Sequence, residues 1–310
     1  MRLSESPNSR SVASLSGRGA AAGHQALAQA AYERRPAQPA VTNGRATQPW
    51  KSLALVCRGS SVTVLGMPLL LQACLNGDRT REEHPAVPRS PDELAAEGRS
   101  AVEAGASVLH LHPYDEAGKP TLEAEACAAA LRAVRSACPG VPICLSTSAA
   151  IEPDPGRRLE LVRGWTDLPD LVTANQGERG ISQLCGHFLD RGVGIEAGLL
   201  EGDDARAFVT SGIADRCVRV LIEPLDSDPE AALTHAAALE ATLAEAGIDL
   251  EQVHHGDGFA TWSVMERAAR RGHGIRVGLE DTVFLPDGTQ PAGNAELVRA
   301  AVALRARLAP

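Results

Sequence analysis

Aromatic residues are scarce in this chain: nine Phe, Trp and Tyr in 310 residues. A core of any size must therefore be built from Ala, Leu and Val, and the length allows one large domain or two small ones. The seven cysteines (Cys57, Cys74, Cys127, Cys138, Cys144, Cys185, Cys217) are odd in number and never spaced C-x-x-C. They read as reduced, small apolar residues of a cytoplasmic protein, which excludes a disulfide frame and a zinc knuckle. No apolar run approaches the roughly 20 residues that span a bilayer. An excess of basic charge is missing too, the formal net charge being −9. An acidic surface repels nucleic acid and anionic membranes, so neither is expected as a partner.

Residues 1–66 differ from the rest. They are rich in Ser, Ala, Arg and Gln, hold eight basic and two acidic residues, and leave a charge of −15 on the remainder. Such a segment buries too little apolar surface to offset the entropy of ordering it. The Arg- and Ser-rich, acid-poor start has the composition of an organellar transit peptide. A plainer reading is that Met67 is the real start, since it opens directly onto the first apolar run. Residues 1–66 are thus expected to be disordered or a spurious extension, and 67–310 a single catalytic domain.

From Met67 a short apolar run, a polar turn and an Ala/Leu/Glu/Arg stretch of helical spacing recur. The runs are LLLQACLNG, SVLHLHPYD, PICLSTS, DLVTANQGE, GVGIEAGLL, CVRVLIEPL, EQVHHGDG and GIRVGLEDT. Helices are predicted over 91–104, 121–137, 229–246, 259–271 and 293–308, with weaker signals near 180–190 and 202–211. Eight β-then-α units predict a parallel sheet closed by helices, an α/β (β/α)8 TIM barrel, which commonly takes about 250 residues. A doubly wound open sheet would usually carry G-x-G-x-x-G after its first strand, and none is present.

A barrel puts chemistry at the C-terminal ends of its strands. In Val108-Leu-His110-Leu-His112, residues i and i+2 share a face, so both imidazoles point inward and can chelate one divalent ion. A pair of hydrogen-bonded core histidines is the bland alternative. The final run, Arg276-Val-Gly-Leu-Glu280-Asp281, adds ionised carboxylates that need a partner. Two histidines and Glu280 leave coordination positions open, as a catalytic metal requires, and two nitrogen ligands favour zinc over magnesium.

His110-Leu-His112, Ser146-Thr147 and Arg276-Val-Gly-Leu-Glu280-Asp281 together resemble the β-keto acid cleavage enzyme family. Asn76-Gly77, Pro91-Asp-Glu-Leu-Ala and Leu285-Pro-Asp-Gly…Asn294-Ala-Glu-Leu-Val extend the likeness from Met67 to the C-terminus. The resemblance implies a zinc-dependent barrel that condenses a β-keto acid with acetyl-CoA, giving acetoacetate and a shortened acyl-CoA by Claisen and retro-Claisen steps. It implies His110, His112 and Glu280 as zinc ligands, Asp281 as catalytic acid/base oriented with Arg276, and Ser146 as a holder of the substrate carboxylate or adduct. Glu196 matches a strand-5 carboxylate of the family and Thr173 a strand-4 threonine. The loop beyond Thr173 departs from the pattern, because Glu178 stands where the family has a small hydroxyl residue. In the family's lysine-fermentation member an acidic residue of the first loop meets a substrate ammonium. Its counterpart here is Arg79, so a substrate neutral or anionic at its far end is expected, unless Arg79 merely pairs with Glu82 or Glu83. The family also implies a homo-oligomer, with a homotetramer the leading expectation.

Other residues draw weaker expectations. His254, His255 and Asp257 follow strand 7 where barrels often hold phosphate, although a structural turn explains them as well. Glu223 reads as a strand-end cap, and His84, His187, His235 and His273 need no special role. A metal-dependent barrel hydrolase would place H-x-H on strand 1, which has no histidine. A non-catalytic metabolite-binding barrel would have no use for Asp281 beside the ligand set.

Overall fold

The computed structural model describes residues 69–308, so the reading of residues 1–66 lies outside the described residues. Eight strands alternate with eight α-helices: β1 (Leu71–Cys74), α1 (Pro91–Ala104), β2 (Val108–Leu111), α2 (Ala124–Ala137), β3 (Ile143–Ser146), α3 (Pro155–Arg163), β4 (Leu171–Asn175), α4 (Ile181–Asp190), β5 (Gly194–Leu199), α5 (Gly202–Thr210), β6 (Arg219–Ile222), α6 (Pro229–Glu245), β7 (Glu251–His254), α7 (Ala260–Arg270), β8 (Gly274–Val277) and α8 (Asn294–Leu308). Every strand pairs in parallel with its neighbours, and β8 closes on β1. This is the (β/α)8 barrel. Among the described residues, no helix is long and apolar enough to cross a membrane.

Three helix starts use one local device. Ser90, Asp154 and Asp228 cap α1, α3 and α6, each followed by a proline at the first helical position, where its missing N–H costs nothing. Ser90 and Glu93 form a reciprocal capping box. The nine-residue α3 escapes sequence reading because its apolar stripe is short and Arg157 and Arg158 interrupt it.

Alternation along the strands sorts side chains between two environments. Leu71, Leu109, Ile143, Ile195 and Val277 face outward into the main sheet–helix core with Leu94, Leu131 and Phe188. The inward face carries a separate apolar plug, where Val108, Cys144 and Leu171 pack with Leu70 and Val218 at the N-terminal end. Above this plug the interior turns polar.

β8 is shorter than its apolar run suggests. It ends at Val277, and Gly278, Glu280 and Asp281 form a turn in which the Gly278 carbonyl accepts from both Asp281 and Thr282 N–H at 3.0 Å. A Cβ on Gly278 would lie 1.8 Å from the Cys74 carbonyl oxygen. The turn can therefore fold over β1 only because residue 278 has no side chain.

Candidate metal centre and catalytic site

His110 and His112 leave β2 on one face and meet edge to face, ring centroids 5.3 Å apart. Glu280 arrives from the β8 turn. His110 Nε2 lies 3.5 Å from Glu280 Oε2, and His112 Nε2 lies 3.6 Å from Glu280 Oε1. One ligand atom from each residue falls within 4.8 Å of the others. His110 Nε2 and Glu280 Oε2 are buried and have no hydrogen-bond partner. Two such atoms facing each other across 3.5 Å are costly unless something bridges them. Two imidazole nitrogens and one carboxylate oxygen suit a divalent ion, so the residues fit the expected metal. Burial holds the His110 pKa well below its ordinary value, in the neutral state that a ligand needs.

The surroundings fix these ligands. Thr173 Oγ1 stands 3.4 Å from His110 Nδ1, a contact that orients the ring. Asn76 holds the His112 backbone from both sides, accepting from its N–H at 3.0 Å and donating to its carbonyl at 2.9 Å. Gly77, at φ +58°, leaves room for the Glu280 side chain, since a Cβ there would sit 2.5 Å from Glu280 Cγ. Arg79 donates to the carbonyls of Leu279 (3.3 Å) and Glu280 (2.8 Å) and pairs with Glu83 at 3.0 Å. Asp257 lies 3.6 Å away on its other side. The guanidinium thus braces the ligand-bearing turn.

Behind the ligands lies a buried charge cluster. Arg276 donates to Glu280 Oε1 (2.6 Å) and to Asp281 Oδ1 (3.0 Å from Nη2, 3.2 Å from Nε), and its Nη1 stands 3.7 Å from Glu223 Oε2. Burial pushes up the Glu280 carboxyl, but Arg276, His110 and His112 outweigh it and hold the pKa well below the carboxylate range. For Asp281 burial prevails over Arg276 and His255, and the pKa is raised. A carboxylate with a raised pKa one residue from a metal ligand can accept and return a proton.

The remaining predicted residues are dispersed. Ser146 closes β3 and is buried, its hydroxyl 3.4 Å from the Ser148 N–H. Glu196 sits lower, fully buried, accepting from Gln72 at 2.9 Å with Arg219 at 3.6 Å. His110, Cys144 and Glu196 make a second potential ligand group. There burial drives the Cys144 thiol well above its ordinary pKa, and the group shares His110 with the upper one. Glu178 ties two loops together through the Ala149 N–H (2.8 Å), Asn175 (3.1 Å) and the buried Arg158.

Two residues of the cluster carry more than their sequence context suggests. Glu223 accepts from His255 Nε2 at 2.8 Å, and His255 Nδ1 lies 3.4 Å from Asp281 Oδ1. A period of two along β7 and β6 would have found them, because His255 follows the inward Val253 and Glu223 follows the inward Leu221. His254 faces the helices, stacked on His273 with centroids 4.9 Å apart.

A closed parallel (β/α)8 barrel with a candidate metal-ligand group and an adjoining carboxylate gathered at the C-terminal ends of its strands defines a class, the TIM-barrel enzymes. Within it, the family model for the beta-keto acid cleavage enzyme matches residues 68–183 and 225–309, and the chain belongs to that family. The 3-keto-5-aminohexanoate cleavage enzyme of Fusobacterium nucleatum is 29% identical over 266 residues, covering 77% of this chain and 92% of that protein. The 3-oxoadipate:acetyl-CoA acetyltransferase of Cupriavidus necator is 26% identical over 266 residues, covering 76% and 88%. Among solved structures, apo ObcA superposes with a TM-score of 0.59 at 18% identity, covering 71% of this chain. The chain spans about three-fifths of ObcA (61%), and at this identity the likeness shows the fold alone.

Proposed function

We propose that this protein is a zinc-dependent β-keto acid cleavage enzyme that transfers the acetyl group of acetyl-CoA to a β-keto acid, releasing acetoacetate and the CoA thioester of the shortened acid. The observation that carries the reading is the pair of buried, unpartnered ligand atoms on His110 and Glu280 beside Asp281, whose Oδ2 is also buried without a partner. Family membership and the C. necator relative named for acetyl-CoA support it.

His110, His112 and Glu280 would hold the ion. Bound there, it would supply Lewis-acid polarisation of the keto-acid oxygens. Asp281 takes a proton from C2 of the substrate through Oδ2. Arg276 holds Oδ1 and keeps the carboxylate aimed. C2 then bonds to the acetyl carbonyl carbon as its C–S bond to CoA breaks, the released thiolate adds to C3, the C2–C3 bond breaks to leave the shortened acyl-CoA, and C2 regains a proton from Asp281. Ser146 holds the substrate carboxylate or the adduct, Thr173 supports His110, and Glu196 supports the site from below with Gln72. No covalent enzyme intermediate is required. Arg79 is taken up by Glu83 and the Leu279 and Glu280 carbonyls, and it puts no carboxylate where an ammonium would need one, so a substrate neutral or anionic at its far end remains the expectation. The working unit is assigned as a cytoplasmic homotetramer, which light scattering would size.

Acetoacetate release from a panel of β-keto acids on zinc-loaded protein, with and without acetyl-CoA, tests the reading. Product formed only with acetyl-CoA is expected, strongest on neutral or dicarboxylic substrates. Turnover without acetyl-CoA, or none across the panel at full zinc occupancy, would overturn it.

A further inference from the structure

His255 is buried, and both of its ring nitrogens face oxygen atoms. Nε2 lies 2.8 Å from Glu223 Oε2, while Nδ1 lies 3.2 Å from the Gly256 carbonyl and 3.4 Å from Asp281 Oδ1. A neutral imidazole must turn a lone pair toward one of these acceptors, whereas an imidazolium donates to both sides. The charged groups around the ring are Glu223 from the end of β6, Asp281 from the β8 turn and Arg276 from β8. From α7, Thr261 is neutral and donates to the Gly256 carbonyl at 2.9 Å.

Asp281 is correspondingly lopsided. Its Oδ1 takes two hydrogen bonds from Arg276 and faces His255, while Oδ2 is buried and bare. We propose that His255, kept as an imidazolium by Glu223, is a positioning residue that clamps Oδ1 of Asp281 and leaves Oδ2 as the oxygen that moves the proton. The proposal rests on Asp281 being the base of the β-keto acid reaction. Burial and the Arg276 charge oppose a protonated ring, yet Asp281 and Glu223 prevail and the His255 pKa is raised. Two cations on one oxygen also explain how a carboxylate with a free edge keeps one orientation where no solvent reaches it.

Nitrogen-15 NMR of histidine-labelled full-length protein reads the ring state without turnover. Wild-type His255 is expected to show both nitrogens protonated at pH 7, and Glu223→Gln to lower the pH of its deprotonation. A neutral ring in the wild type at pH 7 would overturn the clamp, even if the enzyme turns over every substrate tried. In kinetics, His255→Asn and Glu223→Gln are expected to lower kcat roughly 10- to 100-fold, with KM for the β-keto acid and zinc stoichiometry unchanged. Imidazole should restore part of the activity of His255→Ala. Lower thermal stability with kcat intact in Glu223→Gln would reduce His255 to a packing role and sink the proposal. Should His255→Asn fail to fold, Glu223→Gln decides alone. A wild type that turns over no β-keto acid refutes the functional reading instead, while the NMR result still decides the protonation of His255.

Discussion

The two ends of the barrel interior solve opposite problems. At the N-terminal end Leu70, Val108, Leu171 and Val218 close around Cys144 and need only shape. At the C-terminal end His110, Glu223, Glu280 and Asp281 each keep a buried polar atom without a partner, while three carboxylates crowd around Arg276 and His255. The apolar plug is complete in itself, whereas the cluster at the C-terminal end is complete only with a ligand. Stability should therefore respond to changes below, and activity to changes above.

The largest expected separation comes from Asp281→Asn. Turnover should fall about 10³-fold, some 4 kcal/mol of transition-state stabilisation, while the melting temperature holds or rises because one of three neighbouring buried carboxylates is neutralised. Unchanged kcat, or a fall in melting temperature of several degrees, would blur the contrast. The mirror experiment is Leu171→Ala. Chemical denaturation should show a loss of about 2–5 kcal/mol, with zinc stoichiometry and kcat of the folded fraction unchanged. A matching loss of kcat would mean that the plug also tunes the site above it.

Gly77→Ala probes the border between the two demands. A Cβ would press on Glu280 Cγ at 2.5 Å, in a backbone conformation that costs alanine about 1 kcal/mol. Chelator competition should show zinc held roughly tenfold more weakly, in the range of lost second-shell support, and an unaltered affinity would show that Glu280 can retreat. The smallest effect is expected at the rim, where Arg267, Arg271 and His273 surround Glu240 and hold its pKa at about 2 despite burial. A depressed carboxylate pKa stabilises the fold above the unfolded value near 4.5 and loses that contribution as pH falls toward 2. Glu240→Gln should cost on the order of 1 kcal/mol at pH 7, with the difference from wild type vanishing near pH 2. A constant gap across that range would assign the effect to packing.

The same contrast decides how much could be read from sequence. Outward strand faces and helix stripes repeat with fixed periods, so the eight strands and seven of the eight helices were legible, and α3 was hidden by its charged, nine-residue length. The convergence of His110, His112 and Glu280 was legible because H-x-H and R-V-G-L-E-D are each local. Glu223 and His255 were legible only as inward-facing strand-end residues, and their pairing with Asp281 appears once β6, β7 and the β8 turn converge at 2.8–3.4 Å. Arg79 shows the same limit, because its partners Leu279 and Glu280 lie 200 and 201 residues away.

That span has a consequence for biosynthesis. During translation His110 and His112 leave the ribosome early, whereas Glu280, Asp281 and the carbonyls that Arg79 grips appear only with the last βα unit. The first and last units must meet before the three ligands share one point, and contacts this distant in sequence form late. The candidate ligand group is therefore assembled only when the last unit closes the barrel, and a chain truncated before residue 280 lacks one of its three members.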